Sequence, residues 1–250
     1  MDGARVFRRV GAEYVRRYHR LDIEIEAPAP SEPALFVVNH GFGAAFDLNV
    51  FAFGAAIERL NLDRPVTVLS HQLGWQFGLG PVLEYVGAQP ASPESVRRAF
   101  AQGHHVAVFP GGDIDGFKSW RDRNRIKFGG RTGFAREAID NGAPIVPIVT
   151  AGAGDSLLVL SSGEGLARAA QLDKLFRLKA LPVTLSLPWG LSVGAVGFLP
   201  YLPLPTKLRT RVLPALTAAS GEHPVAFAAR VESAMQRALD ELSGAGQAGS

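Results

Sequence analysis

The stretch Phe36–Phe53, FVVNHGFGAAFDLNVFAF, sets the reading of the whole chain. Leu35-Phe36-Val37-Val38 is a short, uninterrupted apolar run, the pattern of a strand buried on both faces. The run stops at Asn39-His40 and passes through a turn with glycines at 41 and 43. Asp47 then opens an apolar helix expected over about 47–60. A histidine at the end of a buried strand, with one carboxylate just beyond, has the chemistry of a general base and its orienter. The same aspartate also fits the plainer role of a helix cap.

Downstream of this stretch, strands and helices alternate. Pro65–Leu69 reads as a strand, His71–Leu83 as glycine-broken helix and loop, and Val86–Ala88 as a brief strand. Ser92-Pro93-Glu94 starts a helix with a side-chain cap, proline at the first helical position and an acid in the first turn, and Gly103 stops it. A strand over His105–Phe109, a long basic loop, a helix over Thr132–Asp140 and an apolar strand over Ala143–Val149 follow. Lys207–Leu213 reads as a last strand and His223–Leu242 as a strong helix. This alternation predicts an α/β fold in a single domain, with a mixed, largely parallel sheet flanked by helices.

Upstream, residues 3–20 carry Phe7, Val10, Tyr14 and Tyr18 at helical spacing, and LDIEIE at 21–26 alternates as a half-exposed strand. The expected organisation is a basic amphipathic helix over 1–20, a domain over 21–243 and a disordered tail over 244–250.

Charge sharpens this outline. The 250-residue chain has a net charge of +3, but its first twenty residues hold six arginines against Asp2 and Glu13, a net of +4, which leaves the remainder at −1. A neutral domain with a basic end is not built to grip nucleic acid, and none is expected as a partner. A basic amphipathic helix suits an anionic membrane surface, and equally a helix docked on its own domain with a solvated charged face. The absence of cysteine excludes disulfides, thiolate metal sites and cysteine nucleophiles, and fits a reducing compartment. The start, MDGARVFRRV, lacks the apolar core of a signal peptide, and no breaker-free apolar run of about 18 residues exists. The expectation is a cytoplasmic protein held peripherally at the inner face of the membrane.

Several motifs are decoys. Gly41-Phe-Gly43-Ala-Ala-Phe46 follows a strand but lacks the third glycine and the distal acid of a dinucleotide fingerprint, and Gly152-Ala-Gly154 has the same defect. There is no G-x-S-x-G elbow, no P-loop and no histidine–acid spacing suited to zinc, so no metal and no bound cofactor is expected.

Three features remain. Asn39-His40 with Asp47 is the first. The second is Phe109-Pro-Gly111-Gly112-Asp113, again at a strand end. Ligands of open α/β sheets collect at the carboxyl ends of strands, and paired glycines there let backbone N–H groups face a developing oxyanion. The third is the basic loop Lys118, Arg121, Arg123, Arg125, Lys127 and Arg131, which holds one acid, Asp122, and reads either as a phosphate grip or as a solvated face.

These features resemble the glycerolipid and lysophospholipid acyltransferases. The hallmarks of that family are an asparagine-histidine pair at a strand end with an aspartate after it, a strand ending in Phe-Pro-Glu-Gly, and a later apolar strand with proline-bracketed valines. Asn39-His40…Asp47, Phe109-Pro110-Gly111-Gly112 and Ala143-Pro-Ile-Val-Pro-Ile-Val149 stand in that order, and the resemblance covers about residues 34–155. The chain departs from the pattern twice. Six residues separate His40 from Asp47 where the family has four, and seven helical steps span about 10 Å, so Gly41 and Gly43 must fold the turn back for the two to meet. Pro-Gly-Gly replaces Pro-Glu-Gly, with Asp113 one residue beyond, which resembles the diacylglycerol-acyltransferase branch with its neutral acceptors.

The resemblance implies an acyl-CoA-dependent O-acyltransferase that moves a fatty acyl group to a lipid or glycerolipid hydroxyl in phospholipid biosynthesis and lipid metabolism. It implies His40 as general base assisted by Asp47. Asn39, Gly111, Gly112, Asp113, Arg125, Lys127 and Arg131 are the expected substrate-binding residues. The expected partners are an acyl-CoA donor, a lipid acceptor and a membrane surface. An acyl-thioester hydrolase and a catalytically inactive lipid-binding protein stand as alternatives. The uncharged stretch Leu181–Thr206, with five prolines, then reads as an acyl-chain groove or a bilayer-dipping segment with Trp189, Phe198 and Tyr201 at its boundary, or as ordinary core and loop.

Overall fold

The computed structural model describes residues 3–42, 47–70, 88–169, 181–187, 189–194 and 201–244. Gly43, the His71–Leu83 segment, Phe198 and residues 245–250 of the expected tail lie outside the described residues.

Among the described residues the main sheet has seven strands: β1 (Asp22–Ile25), β2 (Leu35–Val38), β3 (Val66–Ser70), β4 (Ala88–Pro90), β5 (His105–Val108), β6 (Ile145–Ala151) and β10 (Arg209–Val212). Their order is β1-β10-β6-β2-β5-β3-β4. β6, β2, β5, β3 and β4 run parallel, whereas β10 is antiparallel to β6 and parallel to β1. The sheet is therefore mixed and largely parallel. β4 is described from Ala88 and includes Pro90, which its place at the sheet edge tolerates.

β2 lies at the centre with all four residues buried, because helices cover both of its faces. Its alternation divides the core. Leu35 and Val37 face one cluster with Phe227, Val231 and Met235 of α7 (Pro224–Ser243), Phe134 of α5 (Gly133–Asp140) and Val96 of α3 (Pro93–Ala101). Phe36 and Val38 face the other, with Phe53, Ala55, Ala56 and Leu60 of α2 (Leu48–Leu60) and Ala12 of α1 (Gly3–Arg17). The serine start foreseen for α3 is realised, with Ser92 Oγ accepting the Ser95 N–H at 3.1 Å.

α1 docks on α2. Phe7 and Phe51 rings meet at 5.7 Å, Arg16 pairs with Glu58 at 2.8 Å, and a Cβ on Gly11 would lie 2.4 Å from the Phe51 ring. Two regions differ from the sequence reading. The basic loop contains a short helix, α4 (Gly112–Gly116), and a 3-10 turn over Trp120–Asp122. Residues 158–193 contribute β7 (Leu158–Ser161), α6 (Glu164–Ala169), β8 (Val183–Ser186) and β9 (Gly190–Val193). β7, β8 and β9 form a separate antiparallel sheet, in which Leu158 pairs with Leu185 and Leu185 with Leu191. The prolines and the lack of charge conceal these strands, since their outward positions are apolar and give no alternation. No helix among the described residues is long and apolar enough to cross a membrane.

Candidate active site

β2 and β5 are neighbouring parallel strands, so their carboxyl ends lie side by side. His40 follows the first and Phe109-Pro110-Gly111-Gly112 the second, and the His40 ring packs on Phe109 with centroids 4.9 Å apart. The two motifs, 69 residues apart in sequence, thus share one edge of the sheet.

His40 Nδ1 lies 2.7 Å from Asp47 Oδ2. The gap of six intervening residues is therefore closed. Asp47 is fully buried, and its carboxylate also accepts the Gly41 N–H at 3.0 and 3.1 Å and the Asn49 N–H at 2.8 Å. Asp47 is thus the N-cap of α2 and the partner of His40 at once. Gly41 is needed for space: a Cβ there would lie 2.7 Å from Asp47 Oδ1 and 2.8 Å from Ala153 Cβ. An ionised carboxylate only accepts, so Nδ1 carries the proton and Nε2 keeps its lone pair. The His40 side chain retains 16% of its exposure.

Asn39 turns into the fold. It is buried, its amide donates to Thr150 O at 3.0 Å, and its Oδ1 accepts the Thr150 N–H at 2.9 Å. Both ends of the side chain tie β2 to the end of β6, so Asn39 braces the histidine turn. Asn49 adds a second brace, donating to the Asn39 carbonyl at 3.0 Å.

The basic loop is largely internally paired. Lys127 meets Asp122 at 2.9 Å, Arg123 meets Asp155 at 2.7 Å, and Arg131 meets Asp113 at 2.7 Å. Lys127 holds the Asp122 carboxyl below its ordinary value. Arg131 also donates to the carbonyls of Pro110 and Gly111, so it braces the glycine turn. The Gly112 N–H donates to Phe109 O at 3.2 Å and is engaged within the turn. Arg125 stays mainly exposed, 3.8 Å from Asp122.

One residue of this site escaped the sequence reading and another serves a different purpose from the one expected. Asp115 of α4 is fully buried, and its Oδ2 accepts the His40 main-chain N–H at 2.7 Å. Lys118, read as a phosphate grip, is buried against Asp115 at 2.8 Å. The available signal was the Asp-x-x-Lys spacing directly after the glycine pair, which puts both side chains on one side of a helical turn.

Beyond the turn, Phe42 packs with Phe117, Leu157, Val159 and Tyr201 in an apolar cluster beneath the small sheet. Burial pushes the Tyr201 hydroxyl well above the usual phenol range, with the Asp47 charge adding to the effect.

Comparison with known proteins agrees with this geometry. The acyltransferase family model matches residues 8–151, an interval that contains both motifs and the β6 strand. The chain is 30% identical over 177 residues to the uncharacterized protein Rv0502 of Mycobacterium tuberculosis, covering 70% of this chain and 46% of that one. It is 27% identical over 168 residues to the "DGAT1/2-independent enzyme synthesizing storage lipids" of Gallus gallus, covering 67% and 48%. The chain thus spans about half the length of the curated relatives it matches. The crystal structure of the 1-acyl-sn-glycerophosphate (LPA) acyltransferase PlsC from Thermotoga maritima superposes with a TM-score of 0.56 at 12% identity, covering 96% of this chain and 81% of that chain, and has the same fold. With its motifs on one sheet edge and the family model spanning more than half of its length, the chain belongs to the acyltransferase family.

Proposed function

We propose that this protein transfers a fatty acyl group from acyl-CoA to a lipid or glycerolipid hydroxyl at the His40–Asp47 dyad. The 2.7 Å contact between His40 Nδ1 and the buried carboxylate of Asp47 carries this reading, because it leaves Nε2 as a base at the open end of the sheet. In the reaction, Nε2 takes the acceptor hydroxyl proton as the oxygen attacks the thioester carbonyl. The tetrahedral oxyanion rests on the Gly111 N–H, the C–S bond breaks, and the imidazolium returns its proton to the departing thiolate. Asp47 fixes the tautomer and steadies the imidazolium. The acceptor supplies the nucleophile, so no acyl-enzyme forms. Arg125, exposed and only loosely paired, is the group offered to the phosphates of CoA.

A neutral glycerolipid is the acceptor class we favour. Arg131 and Lys127 are engaged with protein carboxylates, which argues against a dedicated phosphate fork. The name of the chicken relative, an enzyme synthesizing storage lipids, points the same way. Such substrates reside in bilayers, and we propose peripheral attachment to the inner membrane face through the apolar outer face of the β7-β8-β9 sheet. Leu185 and Leu191 stand there 48% and 68% exposed.

The test is purified protein with labelled acyl-CoA and a panel of acceptors: glycerol phosphate, lysophosphatidate, mono- and diacylglycerol, and long-chain alcohols. CoA release should depend on a neutral glycerolipid, and His40→Ala should lower it by about 10²–10⁴-fold with the fold intact. Release independent of acceptor would mark a hydrolase. Lipid binding without release would mark a non-catalytic protein.

A further inference from the structure

We propose that the buried Asp115–Lys118 pair is the positioning device for His40, an inference that rests on the acyl-transfer reading of the dyad. β2 ends at Val38, so the main chain at His40 has left the sheet ladder. Asp115 Oδ2 accepts the His40 N–H at 2.7 Å, and Lys118 Nζ donates to the His40 carbonyl at 3.3 Å. One ion pair thus holds both main-chain polar groups of the base. Asp47 holds the ring and the N–H of the following Gly41, and the ion pair adds the main-chain N–H and carbonyl of His40 itself.

The pair is saturated. Lys118 Nζ donates to Asp115 at 2.8 Å, to the Arg125 carbonyl at 3.0 Å and to His40, which uses its three protons. Asp115 Oδ1 also accepts the Lys127 N–H at 3.1 Å. The side chains are 0% and 5% exposed. The glycine turn makes room for this arrangement: a Cβ on Gly111 would lie 2.1 Å from Asp115 Cβ and 2.7 Å from the Lys127 carbonyl. The Pro-Gly-Gly sequence is therefore tied to Asp115 as well as to an oxyanion. A buried ion pair is a poor way to gain stability compared with apolar packing, because both charges lose their hydration. What it supplies is a fixed main-chain position, and an error of about 1 Å at a catalytic group costs on the order of 10²-fold in rate.

The test is the double variant Asp115→Asn/Lys118→Met in the full chain, which removes both charges and leaves no orphan ion buried. Circular dichroism melts define the folded range. In folded protein, kcat should fall by about 10²-fold while KM for acyl-CoA stays within about twofold. The hydrogen-bonded His40 Nδ1 proton, followed by NMR, should broaden or shift upfield. Added to Asp47→Asn, the double substitution should cost little more, because both act through the same imidazole. Unchanged kcat and an unchanged Nδ1 proton in the folded variant overturn the proposal. Should the double variant not fold, Lys118→Met alone keeps the Asp115 contacts. A fall in kcat of about 10-fold is then expected from loosened positioning, and an unchanged kcat overturns the proposal. Absence of transfer by the unmodified protein would defeat the acyl-transfer reading instead, and the NMR arm would still report on the clamp.

Discussion

Asp47 carries two duties that a substitution can separate. Asparagine caps helices as well as aspartate does, so Asp47→Asn should leave α2 and the melting temperature nearly unchanged. The amide cannot hold Nδ1–H as a carboxylate does, and kcat should fall by about 10²–10⁴-fold. Asp47→Ala should add a stability loss of about 1 kcal/mol from the missing cap. Steady-state kinetics and thermal melts on the two variants check this. A fully active Asp47→Asn would reduce the residue to a cap. The histidine, the aspartate and the glycine pair were legible in the sequence because each sits at the end of a recognisable strand or at the start of a helix. Asp115 was not, because its importance comes from a contact with a residue 75 positions away. Asn39 was legible as a marker, and only the neighbouring β6 backbone shows that its amide ties the histidine turn to Thr150.

At the scale of elements, the junction after α1 is the most pH-sensitive feature. His19 is fully buried, its Nε2 lies 3.0 Å from the Tyr14 hydroxyl, and its carbonyl accepts the Leu208 N–H at 2.9 Å. Burial lowers its pKa to about 4, and burial also lowers that of His105, whose Nδ1 accepts the Ala34 N–H on β2. The folded protein therefore keeps both rings neutral, while the unfolded chain protonates them below about 6.5. Stability from His19 is fully present above pH 6.5 and is lost as pH falls toward 4, by on the order of 3 kcal/mol in the limit. Melts across that range should show the acid decline, and His19→Leu should make its slope shallower. α1 itself was foreseen as a basic amphipathic helix. The face read from periodicity is not the one that docks: Val10 and Tyr18 stay exposed, while Ala12 and Val15 are buried, because the face is set by α2, where Phe51 and Glu58 meet Phe7 and Arg16.

For the whole molecule, the small sheet poses the clearest physical question. Val159 on its inner face joins Phe42 and Tyr201 beside the dyad, while Leu158, Leu185 and Leu191 form one cross-strand row on its outer face. An apolar row exposed on a folded domain marks an interaction surface. Leu185→Asp and Leu191→Asp should each weaken sedimentation with anionic liposomes by about 10-fold, and together by about 10²-fold or more, given at least about 1.5 kcal/mol of burial per leucine. Melting temperature should not change. Undiminished liposome binding by the folded double variant would remove this face from the membrane contact.

The sequence alone determined the alternation of strands and helices, a largely parallel sheet with a buried strand over 35–38, and the two strand-end motifs. Those properties follow from local periodicity and from the residue types that strand ends and caps demand. Only the tertiary structure decided that His40 meets Asp47 across six intervening residues, that Asp115 and Lys118 clamp the same histidine, and that β7, β8 and β9 form a separate sheet. Each depends on groups brought together from distant segments by packing. The information for them lies in space that Gly41 and Gly111 leave open, not in any local pattern.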